Sequence, residues 1–308
     1  MPEPTRTPPG LTIRPAVADD LPTAARVFAL ADQSPEEESL ALADLTLLHA
    51  DDPRQVLVAE RAGQVVGMAA VALRERHWHL VYLFVLPEDQ GGGIGGALLE
   101  AALDVGRAAG CTILTTESSG DARAMTTYLR AGMLPAPPLV ELAAPEPRFP
   151  APNWQDGLEA RPLADDDDAL LATATDIDRL VRGAPRERDL RRWLAAGDVG
   201  VVLFRRDTGV PVGYAMARPR GEHDHAWLGP VAALDPDHAE AVLERGLALA
   251  GTLHRPGLAW RAVVPGQNHV ALRTLLAAGF RATRFGRFLW SAPLGAWDRY
   301  LPHDWDLL

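Results

Sequence analysis

The 308-residue sequence predicts two mixed α/β domains in tandem, each a mixed central sheet flanked by helices. Three observations predict it. Segments recur in order at a spacing of 146 or 147 residues. Leu11-Thr12-Ile13-Arg14-Pro15 returns as Leu158-Glu159-Ala160-Arg161-Pro162, Val66-Gly67 as Val212-Gly213, and Leu129-Arg130-Ala131-Gly132-Met133 as Leu276-Ala277-Ala278-Gly279-Phe280. Between the copies, Leu134 to Gly157 holds seven prolines, a density that no helix or central strand tolerates. Within each copy, β-branched runs alternate with segments of helical apolar spacing. The expected domains are 1–150 and 151–308.

In the first copy, Asp19 or Asp20 caps a helix with Pro22 in its first turn. Ser34-Pro35-Glu36-Glu37-Glu38 starts a second helix, its three acids suited to the positive helix N-terminus. The runs 55–60 and 65–73, joined by Arg61-Ala62-Gly63, read as a hairpin. Leu80 to Leu86 is a third strand, with His77-Trp78-His79 as a polar edge before it. Leu98 to Ala109 is helical and closed by Gly110. A strand from Thr112 to Glu117 and a helix from Asp121 to Ala131 follow, and Leu139 to Leu142 is expected as a closing strand of the first copy.

The formal charge of −11 disfavours a nucleic-acid partner, which calls for a basic face. The lone Cys111 forms no internal disulfide and reads as a small apolar residue. Residues 1–10 lack the apolar stretch of a signal peptide, and no run approaches the roughly 18 apolar residues of a transmembrane helix. A cytoplasmic protein without a membrane partner is expected. His223, His225, His238, His254 and His269 lack a compact metal-ligand spacing.

Chemistry concentrates in Gln90-Gly91-Gly92-Gly93-Ile94-Gly95-Gly96, between a strand and a helix. Successive backbone N–H groups at a helix start are unpaired and aligned with the dipole, which makes an anion site. Glycine lets that backbone approach a pyrophosphate closely. No lysine stands where a nucleoside-triphosphate loop needs one. Gly91, Gly93 and Gly96 also satisfy dinucleotide-binding spacing, with Glu117 where an acidic ribose ligand would lie. Against that reading, a hairpin and two helices precede the loop, and five residues separate Val85 from the first glycine.

With Gln90, Gly93 and Gly95 in this pattern, and Leu83-Phe84-Val85 and Pro87 ahead of it, the segment resembles the cofactor signature of the GCN5-related N-acetyltransferase (GNAT) superfamily. Ala124, Tyr128 and Gly132 are similar to that family's later pattern, with Asp121 replacing its Asn and Met133 its Phe. The order of elements from 11 to 142 agrees, so the resemblance covers a domain. The second copy is similar at Asn268, Ala271, Gly279 and Phe280.

The resemblance implies acetyl-CoA as co-substrate, with Gln90 to Gly96 and Asp121 around the cofactor. Its pantetheine arm would lie between the strand carrying Leu83, Phe84 and Val85 and the strand 112–116. Tyr128 would donate the proton to the leaving sulfur. His79 or Glu117 would act as base, or a neutral amine would attack unaided. The acceptor would be a small amine, an aminoglycoside-like antibiotic, an amino acid or a peptide amine, the protein a monomer or homodimer. A non-catalytic acyl-CoA sensor is the alternative. In the second copy a constant offset places Asp237, Glu240 and Val242 opposite Gln90, Gly93 and Gly95, and Leu275 opposite Tyr128. Carboxylates repel a pyrophosphate and leucine donates no proton, so 151–308 is expected to be a degenerate domain.

Overall fold

The computed structural model describes residues 8–118, 120–151, 157–219 and 225–305. The chain divides into two compact units: Met1–Leu134 with Leu289–Ala292, and Pro135–Phe288 with Pro293–Leu308.

The first unit follows the expected order: β1 (Leu11–Pro15), α1 (Leu21–Asp32), α2 (Glu38–Asp51), β2 (Val56–Arg61), β3 (Gln64–Arg74), β4 (His77–Val85), α3 (Ile94–Ala108), β5 (Ile113–Ser118) and α4 (Ala122–Arg130). Its sheet runs β1-β2-β3-β4-β5, antiparallel except for the parallel pair β4/β5. Alternation along β4, reset by an extra residue at Val81, divides its side chains between two faces. Trp78, Leu80 and Val85 pack with Ile94, Leu98 and Tyr128 from α3 and α4. Tyr82 and Phe84 instead meet Phe28 of α1, at centroid distances of 5.1 and 4.9 Å.

Local details depart from expectation where side chains find other partners. Asp20 stands at the N-cap of α1, but its carboxylate binds Arg14 at 2.6 Å and the Val17 N–H at 2.8 Å. A single 3-10 turn at Pro35–Glu37 leads into α2. Strand β4 begins at His77 rather than Leu80, and His77 and His79 are buried rather than an exposed edge. The Thr115 hydroxyl on β5 gives one nitrogen of each ring a hydrogen-bond partner.

After β6 (Leu134–Pro135) and β7 (Leu139–Ala144), the second unit repeats the pattern with β8 (Leu158–Leu163), α5 (Asp168–Val181), α6 (Glu187–Ala195), β9 (Val199–Arg205), β10 (Pro211–Pro219), β11 (His225–Ala233), α7 (Ala239–Leu253), β12 (Ala259–Pro265), α8 (His269–Ala277), β13 (Arg281–Trp290) and β14 (Tyr300–Leu301). Its sheet runs β8-β9-β10-β11-β12-β7-β13. The pair β11/β12 is parallel, as β4/β5 is in the first unit.

Strand β7 does not close the first copy. It pairs with β12 and β13, and its Val140, Leu142 and Ala144 are buried in the core of the second unit beside Trp260. The first unit is completed instead by Leu289–Ala292. There Leu289 is fully buried in the core, and Ser291 exchanges hydrogen bonds with the Leu114 backbone at 2.8 and 2.9 Å. Each unit thus takes a closing segment from the other half of the sequence.

The repeated Val-Gly pairs have a common structural cause. A Cβ on Gly67 would lie 3.1 Å from Leu98 of α3, and one on Gly213 2.8 Å from Val242 of α7. In both copies the helix crosses the sheet so closely at this point that a side chain would force its neighbours to give way. At Gly213 the added atom would also meet the Ala232 carbonyl at 2.5 Å, which is backbone and cannot swing aside. Gly213→Ala is therefore expected to lower unfolding stability by about 2 kcal/mol in a urea titration, with unchanged far-UV dichroism.

Candidate functional site

The site arises where β4 loses a neighbour. Strands β4 and β5 pair from His77↔Ile113 to Leu80↔Thr116. A shift in register against β3 occurs at Val81, and Tyr82 to Val85 remain paired with Ala70 to Gly67 on that side alone. Bulges re-aim strands in this way. Among the described residues no strand pairs with Leu83–Val85 on the opposite edge, so an opening begins between β4 and β5.

At the head of the opening, a 3-10 turn at Pro87–Asp89 leads through Gln90–Gly93 into α3. Gly91 and Gly93 have φ of 83° and 84°, a conformation that strains any residue with a Cβ. Gly93 is the N-cap and offers no side chain, so the first-turn N–H groups have no capping oxygen. Arg61 fastens Asp89 at 2.6 Å, and the Gln90 side chain donates to the Val85 carbonyl at 3.0 Å. Gly95 is the informative glycine. It is helical, and a Cβ there would find its nearest neighbour, Val85, at 3.9 Å. The fold leaves room for a side chain, and glycine inside a helix costs about 1 kcal/mol relative to alanine.

These elements enclose a cavity of about 490 Å³. Leu83, Phe84 and Val85 supply the strand wall, and Gln90, Gly91, Gly93, Ile94, Gly95 and Gly96 the helix start. Asp121 and Tyr128 of the α4 segment close it. Gly92 is exposed in the same loop but does not line the cavity. Of the proposed proton-transfer groups, Tyr128 lines it. Burial, with the Glu117 and Asp121 carboxylates nearby, holds the Tyr128 phenol well above its ordinary range, so at neutral pH it carries its proton. Glu117 is half-buried at the end of β5 and acts on Tyr128 electrostatically, without lining the cavity. His79 is 2% exposed, with Nδ1 2.9 Å from Thr115 Oγ1, and lies outside the cavity wall.

Ala31 and Asp32 at the end of α1, and Arg123 and Thr127 of α4, also line the cavity. Arg123 pairs with Asp121 at 3.0 Å and donates to Gln90 Oε1 at 3.2 Å, linking α4 to the glycine loop. That pairing holds the Asp121 carboxyl below its usual range. Arg123 and Thr127 share a helix with Tyr128 at neighbouring positions, a signal available in the sequence. Nothing in the sequence brings Asp32 there, because α1 reaches the site only through tertiary packing.

The second unit has no glycine loop. Its turn Pro236–His238 runs directly into α7 at Ala239, whereas four residues, Gln90 to Gly93, separate the equivalent turn from α3. Both helices have 15 residues, so the loop is deleted. Asp237 and Glu240 therefore do not stand opposite Gln90 and Gly93 as a constant offset implies. Leu275 does stand opposite Tyr128 in a helix of the same length, and is fully buried. Trp227 and Trp260 are core residues of β11 and β12. His223 lies outside the described residues, and among those described no group of His, Cys, Asp or Glu is arranged to hold a metal. No described helix is long and apolar enough to cross a membrane.

The acetyltransferase (GNAT) family profile matches residues 21–133, and an acetyltransferase (GNAT) domain profile matches residues 174–254. The chain belongs to the GNAT acetyltransferase superfamily, with two domains of that kind in tandem. It is 42% identical over 83 residues to an IAA acetyltransferase of Azospirillum brasilense, a match covering 26% of this chain and 54% of that protein. It is 36% identical over 104 residues to a mycothiol acetyltransferase of Streptomyces griseus, covering 32% of this chain and 34% of that protein. The matches thus span about half and about a third of these relatives. A GCN5-related N-acetyltransferase from Sphaerobacter thermophilus shares the fold with a TM-score of 0.63 at 18% identity, over 94% of this chain and 98% of that one. A tandem GNAT protein from the clavulanic acid biosynthesis pathway does so with a TM-score of 0.54 at 17% identity, over 92% and 99%.

The shared hydroxyl offers a test of how this GNAT domain holds its buried histidines. One hydroxyl proton can be given to only one ring, so the other imidazole must donate to the Thr115 oxygen. Thr115→Val removes the hydroxyl from both ring nitrogens and is expected to cost about 2 kcal/mol in denaturant unfolding. Thr115→Ser, which keeps the hydroxyl, should recover most of that loss.

Proposed function

We propose that the first unit transfers an acetyl group from acetyl-CoA to a primary amine in a ternary complex, and that the second unit carries no cofactor. The observation that carries this reading is the pairing of a strand edge, Leu83–Val85, that no described strand covers, with an uncapped helix start bearing a glycine the fold does not require. Free N–H groups at the helix start suit a pyrophosphate. The edge of β4 offers backbone groups to an extended amide-bearing arm, as a neighbouring strand would. Arg123, at the junction of loop and α4, adds a positive charge toward the phosphates.

In the reaction the amine nitrogen bonds to the thioester carbonyl carbon and the carbon–sulfur bond breaks. A β4 backbone N–H polarises the carbonyl oxygen. Tyr128 Oη hands its proton to the departing sulfur. We assign Glu117, in preference to His79, to take the proton shed by nitrogen and pass it through water to the phenolate. Neither lines the cavity, but the Glu117 carboxylate is near enough to help raise the Tyr128 phenol, whereas His79 is buried against Thr115. The Asp32 carboxylate at the rim favours a cationic acceptor.

Two substitutions separate binding from chemistry. Gly95→Val should fold with a melting temperature within a few degrees of the parent, yet reduce calorimetric acetyl-CoA binding from one site per chain to none. Tyr128→Phe should lower kcat by roughly 10²-fold while leaving cofactor affinity within about twofold. Unchanged turnover in that variant would reduce Tyr128 to a packing residue, and binding without turnover on any amine would make the protein an acyl-CoA sensor.

A further inference from the structure

The second unit preserves the geometry that opens the first. Its β11 pairs with β12 in parallel from His225↔Ala259 to Trp227↔Arg261 and no further. The registers against the preceding strand match pair by pair. Gly67↔Val85, Met68↔Phe84 and Ala69↔Leu83 in the first unit become Gly213↔Ala233, Tyr214↔Ala232 and Ala215↔Val231 in the second. Val231–Ala233 is therefore the counterpart of the strand edge Leu83–Val85.

That edge is taken. β14 pairs antiparallel with it, Leu301 opposite Val231 and Tyr300 opposite Ala232. Because β10 covers the other edge of β11, β14 lies on the side that leads to β12, in the opening itself. Its anchors are specific. Asn268, at the N-cap of α8, donates to the Tyr300 carbonyl at 3.1 Å; in the first unit the N-cap of α4 is Asp121, which lines the open cavity. Beyond β14, Asp304 pairs with Arg218 at 2.9 Å, and the His303 ring stacks on Trp193 at 3.5 Å. The strand accommodates this neighbour at Gly229, where a Cβ would fall 2.1 Å from the Pro302 carbonyl oxygen. Tyr300, Leu301 and His303 are at most 1% exposed.

We propose that the groove of the second unit is a strand-binding site whose ligand is this chain's own segment Tyr300–Asp304, held where the first unit leaves its opening for an acyl carrier. The second unit is an internally liganded domain. An extended peptide supplies the backbone donors and acceptors that β11 lacks beyond Trp227, and side-chain anchors fix its register. Loss of the glycine loop follows naturally, since no pyrophosphate accompanies a peptide strand. The inference goes beyond the acetyl-transfer reading and stands on the second unit alone.

Hydrogen–deuterium exchange on the full chain, with and without acetyl-CoA, tests it. Amides in 229–234 and 299–305 should exchange at least tenfold more slowly than those of an exposed terminus, and acetyl-CoA should leave both unchanged. In the Gly229→Ala variant, 299–305 should lose that protection. Rapid exchange of 299–305 in the parent, new protection at 229–234 on adding acetyl-CoA, or a Gly229→Ala chain with full protection would each overturn the proposal. Peptides covering 81–86 report on the first unit in the same experiment. If they fail to respond to acetyl-CoA, the acetyl-transfer reading falls while the second-unit result keeps its meaning.

Discussion

Two parallel strands that pair for only part of their length set the terms for the rest of this molecule. A strand edge buried without a partner leaves N–H and C=O groups whose desolvation is costly, so something must be put against it. In the first unit the edge of β4 from Leu83 to Val85 faces a cavity, and the helix start beside it is stripped of side chains and caps. In the second unit the equivalent edge receives β14. The same backbone geometry thus has two outcomes, one left facing a cavity and one closed by peptide.

The supporting side chains follow this division. Around the first opening, charged groups are placed near the surface and linked to one another, as in the chain from Asp121 through Arg123 to Gln90. Around the second, polar groups are sealed in. Asp178, Arg186 and Tyr214 form a buried network with contacts of 2.6 to 3.2 Å and almost no exposure. Removing one member of a buried network leaves the others unpaired at a cost of several kcal/mol.

The interleaving of segments constrains how the protein can be divided. Leu289 is fully buried in the first unit, although 155 positions separate it from Leu134, and β7 belongs to the second. A cut in the proline-rich stretch near residue 150 would strip Leu289–Ala292 from the first unit and β7 from the second. The two copies are repeats in sequence without being independent modules in space.

The sequence by itself determined the duplication, because segments recur at a spacing of 146 or 147 residues. It also determined the mixed α/β order, the glycine loop and the position of Tyr128 on its helix, because each of these rests on local spacing. Gly91 and Gly93 answer to backbone torsion, Gly67 and Gly213 to one helix crossing, and α4 places Tyr128 by its own periodicity. Tertiary structure decided what depends on partners distant in the chain. It buried His77 and His79 against Thr115, brought Asp32 to the cavity rim, moved Leu139–Ala144 out of the first copy, and filled the second groove. Two residues, Tyr300 and Leu301, carry too short a pattern to announce a strand. Only the unsatisfied edge of β11, assembled from a segment 70 positions earlier in the sequence, gives them that conformation.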